Sequence, residues 1–379
     1  MKIVYLHEHL ISVGGLERIF IQKMNYLAER LHYDVYLVTT SQGNHPFSFP
    51  LSKQVKHFDL DINFHLRYRY PYPKRLWIRL KLDSLFKTRA QEMMDRIDPD
   101  FIIGTTAWRP EVICRLKGRA KKIMESHCAK SYISMPDTRT TSFVKDKLNK
   151  YATRRRLRAA EKYSDAVITL TRTDAKAWEK ARKVYVIPNF TEYMPPQSST
   201  CEIPRAIAVG RLSYQKGFDR LVSIWSIVNK RFPDWKLDIY GEGICKEALK
   251  KQIGELHLDK IVTIHPFTKD ILQEYLSSSL FVLSSNYEGF ALVLLEAMAC
   301  GLPCVSFDCP NGPADIIQNG ETGLLVKNGD LEGFTNAICH LLADQEERKE
   351  LGRKAKQEIM NYSPEKVMLQ WDRLFKELL

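Results

Sequence analysis

Two doubly wound α/β domains in tandem are the architecture this sequence predicts, and three observations carry the prediction. Short β-branched runs alternate with longer amphipathic ones, the rhythm of βαβ units and a parallel sheet. That rhythm breaks once, at the polar, proline-bearing and aperiodic residues Pro188-Asn189 and 193–200, which read as a linker. A chain of 379 residues also suits two cores better than one. The expected division is an N-terminal domain over 1–190, a second domain over 191–362, and a closing helix over 363–379 that crosses back to the first.

The elements follow in order. Residues 3–6 make a first strand, 17–30 a helix and 35–39 a second strand, with further strands at 101–105, 122–125, 166–170 and 184–187. Thr171 or Thr173 can cap the helix after the strand at 166–170. Beyond the linker the strands are 206–210, 237–240, 261–264, 280–283 and 304–307, each followed by a helical segment. The last helix repeats apolar residues at Val367, Trp371, Leu374, Phe375 and Leu378, which defines one buried stripe. Ligands of such sheets bind at the carboxyl ends of the strands, so two facing sheets place the site in the cleft between them.

Composition narrows the class. Apolar residues are 44% and charged residues 27% of the chain, which fits a folded globular protein and excludes a disordered or fibrous one. No apolar run is long enough to span a bilayer, and a carboxylate at Glu8 comes too early for a secretory leader, so the expected location is the cytoplasm. The eight cysteines contain no C-x-x-C pair and read as buried thiols in a reducing compartment. Lys and Arg outnumber Asp and Glu, 57 − 45 = +12, which favours anionic partners. The excess is clumped in residues 62–82, which lack any acid and interleave cations with Tyr68, Tyr70, Tyr72 and Trp77, and again in residues 145–158.

Several constellations point into the expected cleft. Gly14 and Gly15 lead from the first strand into a helix, where missing side chains let backbone approach a ligand and free N–H groups face an anion. A plain tight turn explains them equally well. In the second domain Arg211 and Lys216 stand between a strand and a helix N-terminus, offering a guanidinium and a compact ammonium to a diphosphate. The run from Glu288 through Gly289, Phe290 and Ala291 to Glu296 turns and enters a helix that is apolar nearly all round. If helical throughout, its two glutamates lie about 12 Å apart and grip different parts of one elongated ligand. A core Arg or Lys paired with Glu296 is the alternative. Gly241 follows one strand, Phe267 follows another with an aromatic suited to a flat base, and His127 ends a strand of the first domain. A lone His is more often structural than catalytic. Asp59-Leu60-Asp61 and Asp98-Pro99-Asp100 have metal-binding spacing, but the first lies beside the basic aromatic segment, away from the second domain's phosphate loop, and the second reads as a turn into a strand, so neither is assigned to a metal.

Taken together, Gly14-Gly15, Arg211 with Lys216, the glutamate pair opening on Glu-Gly-Phe, and the run from Gly312 to Val326 resemble family 4 of the retaining glycosyltransferases. The resemblance implies a GT-B fold of two facing Rossmann-like halves, a nucleotide-sugar held by the second half, and a glycan or lipid-linked acceptor held by the first. It implies that Arg211 and Lys216 neutralise the donor diphosphate beside the backbone N–H groups near Phe290 and Ala291. Glu288 would bind the transferred sugar and Glu296 the ribose, with His127 near the sugar, Gly15 in the loop that closes over the phosphates and Phe267 at the base. No protein nucleophile, metal or cofactor is expected beyond the donor. The run Cys309 to Asp315 resembles bacterial enzymes that build surface glycans and points to a UDP-sugar. On that reading the basic aromatic stretch suits a peripheral dock on an anionic membrane. A nucleotide-sugar epimerase or phosphorylase of the same fold is one rival. A nucleic-acid-binding protein is the other, although no basic aromatic sheet face or recognised module supports it.

Overall fold

The computed structural model describes residues 1–133 and 143–379. The first sheet contains β1 (Lys2–His7), β2 (Asp34–Thr39), β3 (Lys56–Asp59), β4 (Phe101–Thr105), β5 (Lys121–Ser126), β6 (Ala166–Thr169) and β7 (Val184–Val186). The second contains β8 (Arg205–Val209), β9 (Lys236–Tyr240), β10 (Val262–His265), β11 (Leu280–Leu283), β12 (Cys304–Asp308) and β13 (Gly323–Lys327). All pairings between these strands are parallel, in the orders β3-β2-β1-β4-β5-β6-β7 and β10-β9-β8-β11-β12-β13. Each order reverses once, between β1 and β4 and between β8 and β11. Connections leave these points in opposite directions and open a crevice at the carboxyl edge.

Helices in the first half are α1 (Gly15–Glu29), α2 (Lys74–Ile97), α3 (Pro110–Ile113), α4 (Phe143–Tyr163) and α5 (Arg172–Lys176). The second half adds α6 (Phe218–Arg231), α7 (Lys246–Glu255), α8 (Ile271–Leu276), α9 (Leu292–Ala299), α10 (Pro313–Ile316), α11 (Leu331–Ala343), α12 (Gln345–Glu358) and α13 (Pro364–Leu378). The central strands β1, β4 and β11 are buried through most of their length, so their near-continuous apolar runs follow from cover on both faces. The fold is that of two Rossmann-like α/β halves. Thr171 caps α5 through a hydrogen bond from the Asp174 N–H.

The long helix α13 follows the second domain in sequence but packs on the first. Val367, Met368, Trp371, Leu374, Phe375 and Leu378 join Ile3, Tyr5 and Phe101 in one buried cluster. The inter-domain segment is not a loose tether: Phe190 and Cys201 are buried, and Thr191 donates its N–H to the Tyr362 carbonyl at 3.1 Å. The basic run at 145–158 lies on α4, where the side chains of residues 143–146 and 148 fall outside the described set. Both D-x-D motifs shape turns. Asp59 accepts the N–H groups of Gly43 and Asp61 at 2.6 and 3.0 Å, and Arg119 bridges Asp98 and Asp100 at 3.0 Å each.

Candidate active site

Three loops of the second domain meet at the carboxyl ends of β8, β11 and β12, beside the β8/β11 reversal. The first carries Arg211 and Lys216 and the second carries Ser284 to Ala291. Asn286 fastens them together, its N–H donating to the Gln215 carbonyl at 2.7 Å and its side chain to the Tyr214 carbonyl at 2.6 Å. Gly217 (φ +61°) belongs in this seam because a Cβ there would lie 2.3 Å from the Ser284 carbonyl oxygen. The third loop crosses above with Gly312, whose φ of +109° suits glycine, against Ala291 and Glu288. Gly241 sits so close to β8 that a Cβ would meet the Gly210 oxygen at 1.9 Å.

Within this frame the Lys216 ammonium donates to Glu288 at 2.7 Å, and the Ser285 hydroxyl donates to the same carboxylate at 2.6 Å. Glu288 is 4% exposed, so its charge is held by those two partners rather than by water. Arg211 lies on the exposed side of its loop, and Phe267 is 60% exposed after β10. Phe290 and Ala291 are buried at the entrance to α9.

One expectation needs correction. The glutamate pair does not share a helix, because α9 begins only at Leu292 and Ala291 keeps a non-helical backbone (φ −79°, ψ +79°). Glu288 belongs to the preceding turn and Glu296 to the helix, so the 12 Å helical rise does not apply. The turn lets Gly289 slide under the first domain: a Cβ there would fall 2.3 Å from the His127 carbonyl oxygen.

The first domain meets this surface at several points. Gly15 lies against Leu292, where a Cβ would approach its methyl to 2.9 Å, and Tyr132 stacks on Tyr287 with centroids 4.5 Å apart. The Arg172 N–H donates to Asp315 at 3.0 Å. Most telling is Arg18 of α1, which forms an ion pair with Glu296, while Tyr275 donates its hydroxyl to the other carboxylate oxygen at 3.0 Å. Burial opposes the Arg18 charge, yet Glu296 and Tyr193 raise its pKa above the usual value. The alternative weighed for Glu296, a basic partner, is thus what this structure holds, with the cation coming from the opposite domain.

His127 is also partnered. Its Nε2 lies 2.8 Å from Glu125, which forms a buried 2.5 Å ion pair with Lys23 of α1. Burial raises the Glu125 carboxyl, but Lys23 and His127 outweigh it and hold its pKa at about 2. The ring packs on Phe20 at 5.2 Å. Lys216 thus meets Glu288, Gly289 lies against His127, and Gly15 lies against Leu292, four residues before Glu296 on α9. Sequence reasoning missed Arg18, Lys23, Glu125 and Tyr275 as site residues. Arg18 and Glu296 are separated by 278 positions, and no local pattern links them.

Comparison with known proteins identifies the family and the fold. The family pattern described as Glycosyltransferase Family 4 matches residues 13–192, and that of Glycosyl transferases group 1 matches residues 191–358. This chain belongs to glycosyltransferase family 4. It is 28% identical over 379 residues to an uncharacterized glycosyltransferase of Haemophilus influenzae, covering 98% of both chains. The amylovoran biosynthesis glycosyltransferase AmsD of Erwinia amylovora is 35% identical over 219 residues, 55% of this chain and 61% of that one. Among solved structures, Anabaena Alr3699/HepE in complex with UDP-glucose matches with a TM-score of 0.75 at 18% identity, covering 100% of both chains. That likeness shows the GT-B fold, and the chain is a glycosyltransferase.

Proposed function

We propose that this glycosyltransferase moves a hexosyl or N-acetylhexosaminyl unit from a UDP-sugar to a glycan or lipid-linked glycan in cell-surface polysaccharide assembly. It does so with retained configuration and without metal or cofactor. The observation that carries the reading is the Lys216–Glu288 pair, set at a sheet reversal beneath the loop of His127. The amylovoran biosynthesis named for AmsD and the UDP-glucose held by Alr3699/HepE support the acceptor class and the donor.

On donor entry Lys216 exchanges its carboxylate partner for the diphosphate, joined by Arg211 and the N–H groups around Phe290 and Ala291 at the start of α9. Glu288, released from Lys216 but still held by Ser285, accepts hydrogen bonds from sugar hydroxyls. The ribose diol competes with Arg18 for Glu296. As the sugar–phosphate bond breaks, cations fixed in a closed, dry crevice stabilise the departing diphosphate more than the ground state. The acceptor attacks from the face the diphosphate leaves, and the leaving oxygen takes its proton.

A thermal-shift screen of UDP-, GDP- and ADP-sugars tests the donor, since a ligand at a hundred times its Kd adds about 2.7 kcal/mol of stability. Stabilisation by UDP-sugars and release of UDP in the presence of a chelator are expected, with the product anomer read by NMR. Absence of both stabilisation and nucleotide release with every donor overturns the proposal.

A further inference from the structure

α2 is 24 residues long, yet its buried side chains are confined to Phe86, Ala90, Met94 and Ile97, all in its second half. Leu82 of the third turn flanks the core, and the first two turns stand off it. There Leu76, Trp77 and Leu80 are 44, 62 and 60% exposed, and Tyr72, just before the helix, is 77% exposed. Leu76 and Leu80 are one helical turn apart with Trp77 beside them, so the three share a face. A contiguous apolar patch of this kind on a water-facing helix marks a contact surface rather than chance exposure.

Its charge names the partner. Residues 62–82 contain no acidic side chain. The cations are seated on the aromatic rings they flank: Arg75 over Tyr68 at 4.1 Å, Lys74 over Tyr70 at 4.8 Å and Lys81 over Trp77 at 5.6 Å. A second copy of this face would meet it with like charge, which disfavours an isologous dimer. A soluble polyanion would use the cations but gain nothing from Leu76 and Leu80. An anionic bilayer uses both, taking aromatic and aliphatic groups into the headgroup boundary while phosphates meet the cations.

Position adds a functional consequence. In a parallel sheet each helix starts near the carboxyl edge of the strands, and α2 follows β3 through a 3₁₀ turn at Phe64–Arg69. Arg109, in the loop after β4, joins this region to the crevice edge by an ion pair to Asp83 and by stacking over Phe64 at 3.6 Å. The patch thus lies on the same edge of the first domain as His127.

We infer that the start of α2, with Tyr72, Leu76, Trp77 and Leu80 ringed by Lys74, Arg75, Arg79 and Lys81, is a docking surface for anionic lipid headgroups that turns the first domain's crevice edge toward the bilayer. This does not depend on the donor reading, because vesicle binding is measured without any sugar.

Flotation of the full chain with phosphatidylcholine vesicles, with and without phosphatidylglycerol, tests it. Binding only to the anionic vesicles, weakened by salt, is expected. Trp77→Ser with Leu80→Ser, and separately Lys74→Glu with Arg75→Glu, each lower the bound-to-free ratio at least about tenfold. Melting temperatures near that of the parent check folding, and Leu76→Ala is the milder second variant should the serine pair unfold. The inference is overturned if the chain stays free of anionic vesicles at low salt. It is also overturned if only the charge variants lose binding, which describes a polyanion site, or if the apolar variants change the sedimentation mass instead, which makes a second copy the occupant.

Discussion

At the scale of single residues, the site's charges hold one another, Lys216 with Glu288 and Arg18 with Glu296. Lys216→Ala removes the ammonium expected at the diphosphate and leaves Glu288 buried with Ser285 alone. Turnover is expected to fall by about 10²–10³ in steady-state nucleotide release, the size of a lost transition-state charge contact. Adding Glu288→Gln is expected to recover melting temperature but not turnover, which separates the two roles of the pair. Arg18 holds Glu296, the carboxylate proposed for the ribose, so on that proposal Arg18→Ala is expected to tighten UDP binding by up to about tenfold in calorimetry. Weaker binding instead identifies Arg18 as a phosphate contact. His7, packed between Phe20 and Trp108, has its pKa lowered by burial to about 4, against an ordinary 6.5. The unfolded chain therefore binds a proton between these values that the fold does not, and stability drops as pH falls from 6.5 to 4, by about 3 kcal/mol from this group alone. Glu125 adds a second loss between its ordinary 4.5 and about 2. Thermal melts across pH are expected to lose the upper component in His7→Gln and keep the lower one.

Among elements, the loops at the strand ends do the joining, and Gly289 is the glycine that most closely approaches the opposite domain. It needs no left-handed backbone, so the second domain alone tolerates a methyl there, but that methyl meets the His127 carbonyl when the domains are together. Gly289→Ala is expected to keep UDP affinity while turnover falls at least about tenfold, because the reacting groups are held slightly apart. The central strands were legible because they are covered on both faces and read as unbroken apolar runs. Lys56-His57-Phe58-Asp59 was not, since an edge strand without a buried face has no such pattern, and β13 escaped for a related reason. The loop motifs were legible where their residues are close in sequence, as in the Glu288 to Ala291 turn. The start of α9 was misplaced because Ala291 and Leu292 are ordinary helix formers and the close approach of the first domain leaves no local mark. Partners such as Lys23 for Glu125 are assembled by the sheet and have no signature at either position.

At the scale of the whole molecule, α13 connects the return of the chain to the chemistry at its other end. Trp371 is 2% exposed in the first domain's core, and the Lys23 ammonium lies over its ring at 3.9 Å. Lys23 in turn fixes Glu125, and Glu125 fixes His127. A helix encoded after the second domain thus supports the histidine of the first, which a domain cut before it would forfeit. Trp371→Ala is expected to cost about 3–5 kcal/mol from the cavity and to lower turnover as Lys23 loses the ring beneath it. Leu374→Ala, buried on the same helix and not one of the rings that face Lys23, is expected to cost about 2–5 kcal/mol while turnover well below its melting temperature stays near that of the parent. Trp371→Phe keeps an aromatic face and is expected to retain most of both. Denaturant melts and turnover measured on the three variants decide the matter: equal losses of turnover in Trp371→Ala and Leu374→Ala would reduce α13 to a stabilising strap, whereas a loss confined to the tryptophan places its ring in the support of His127.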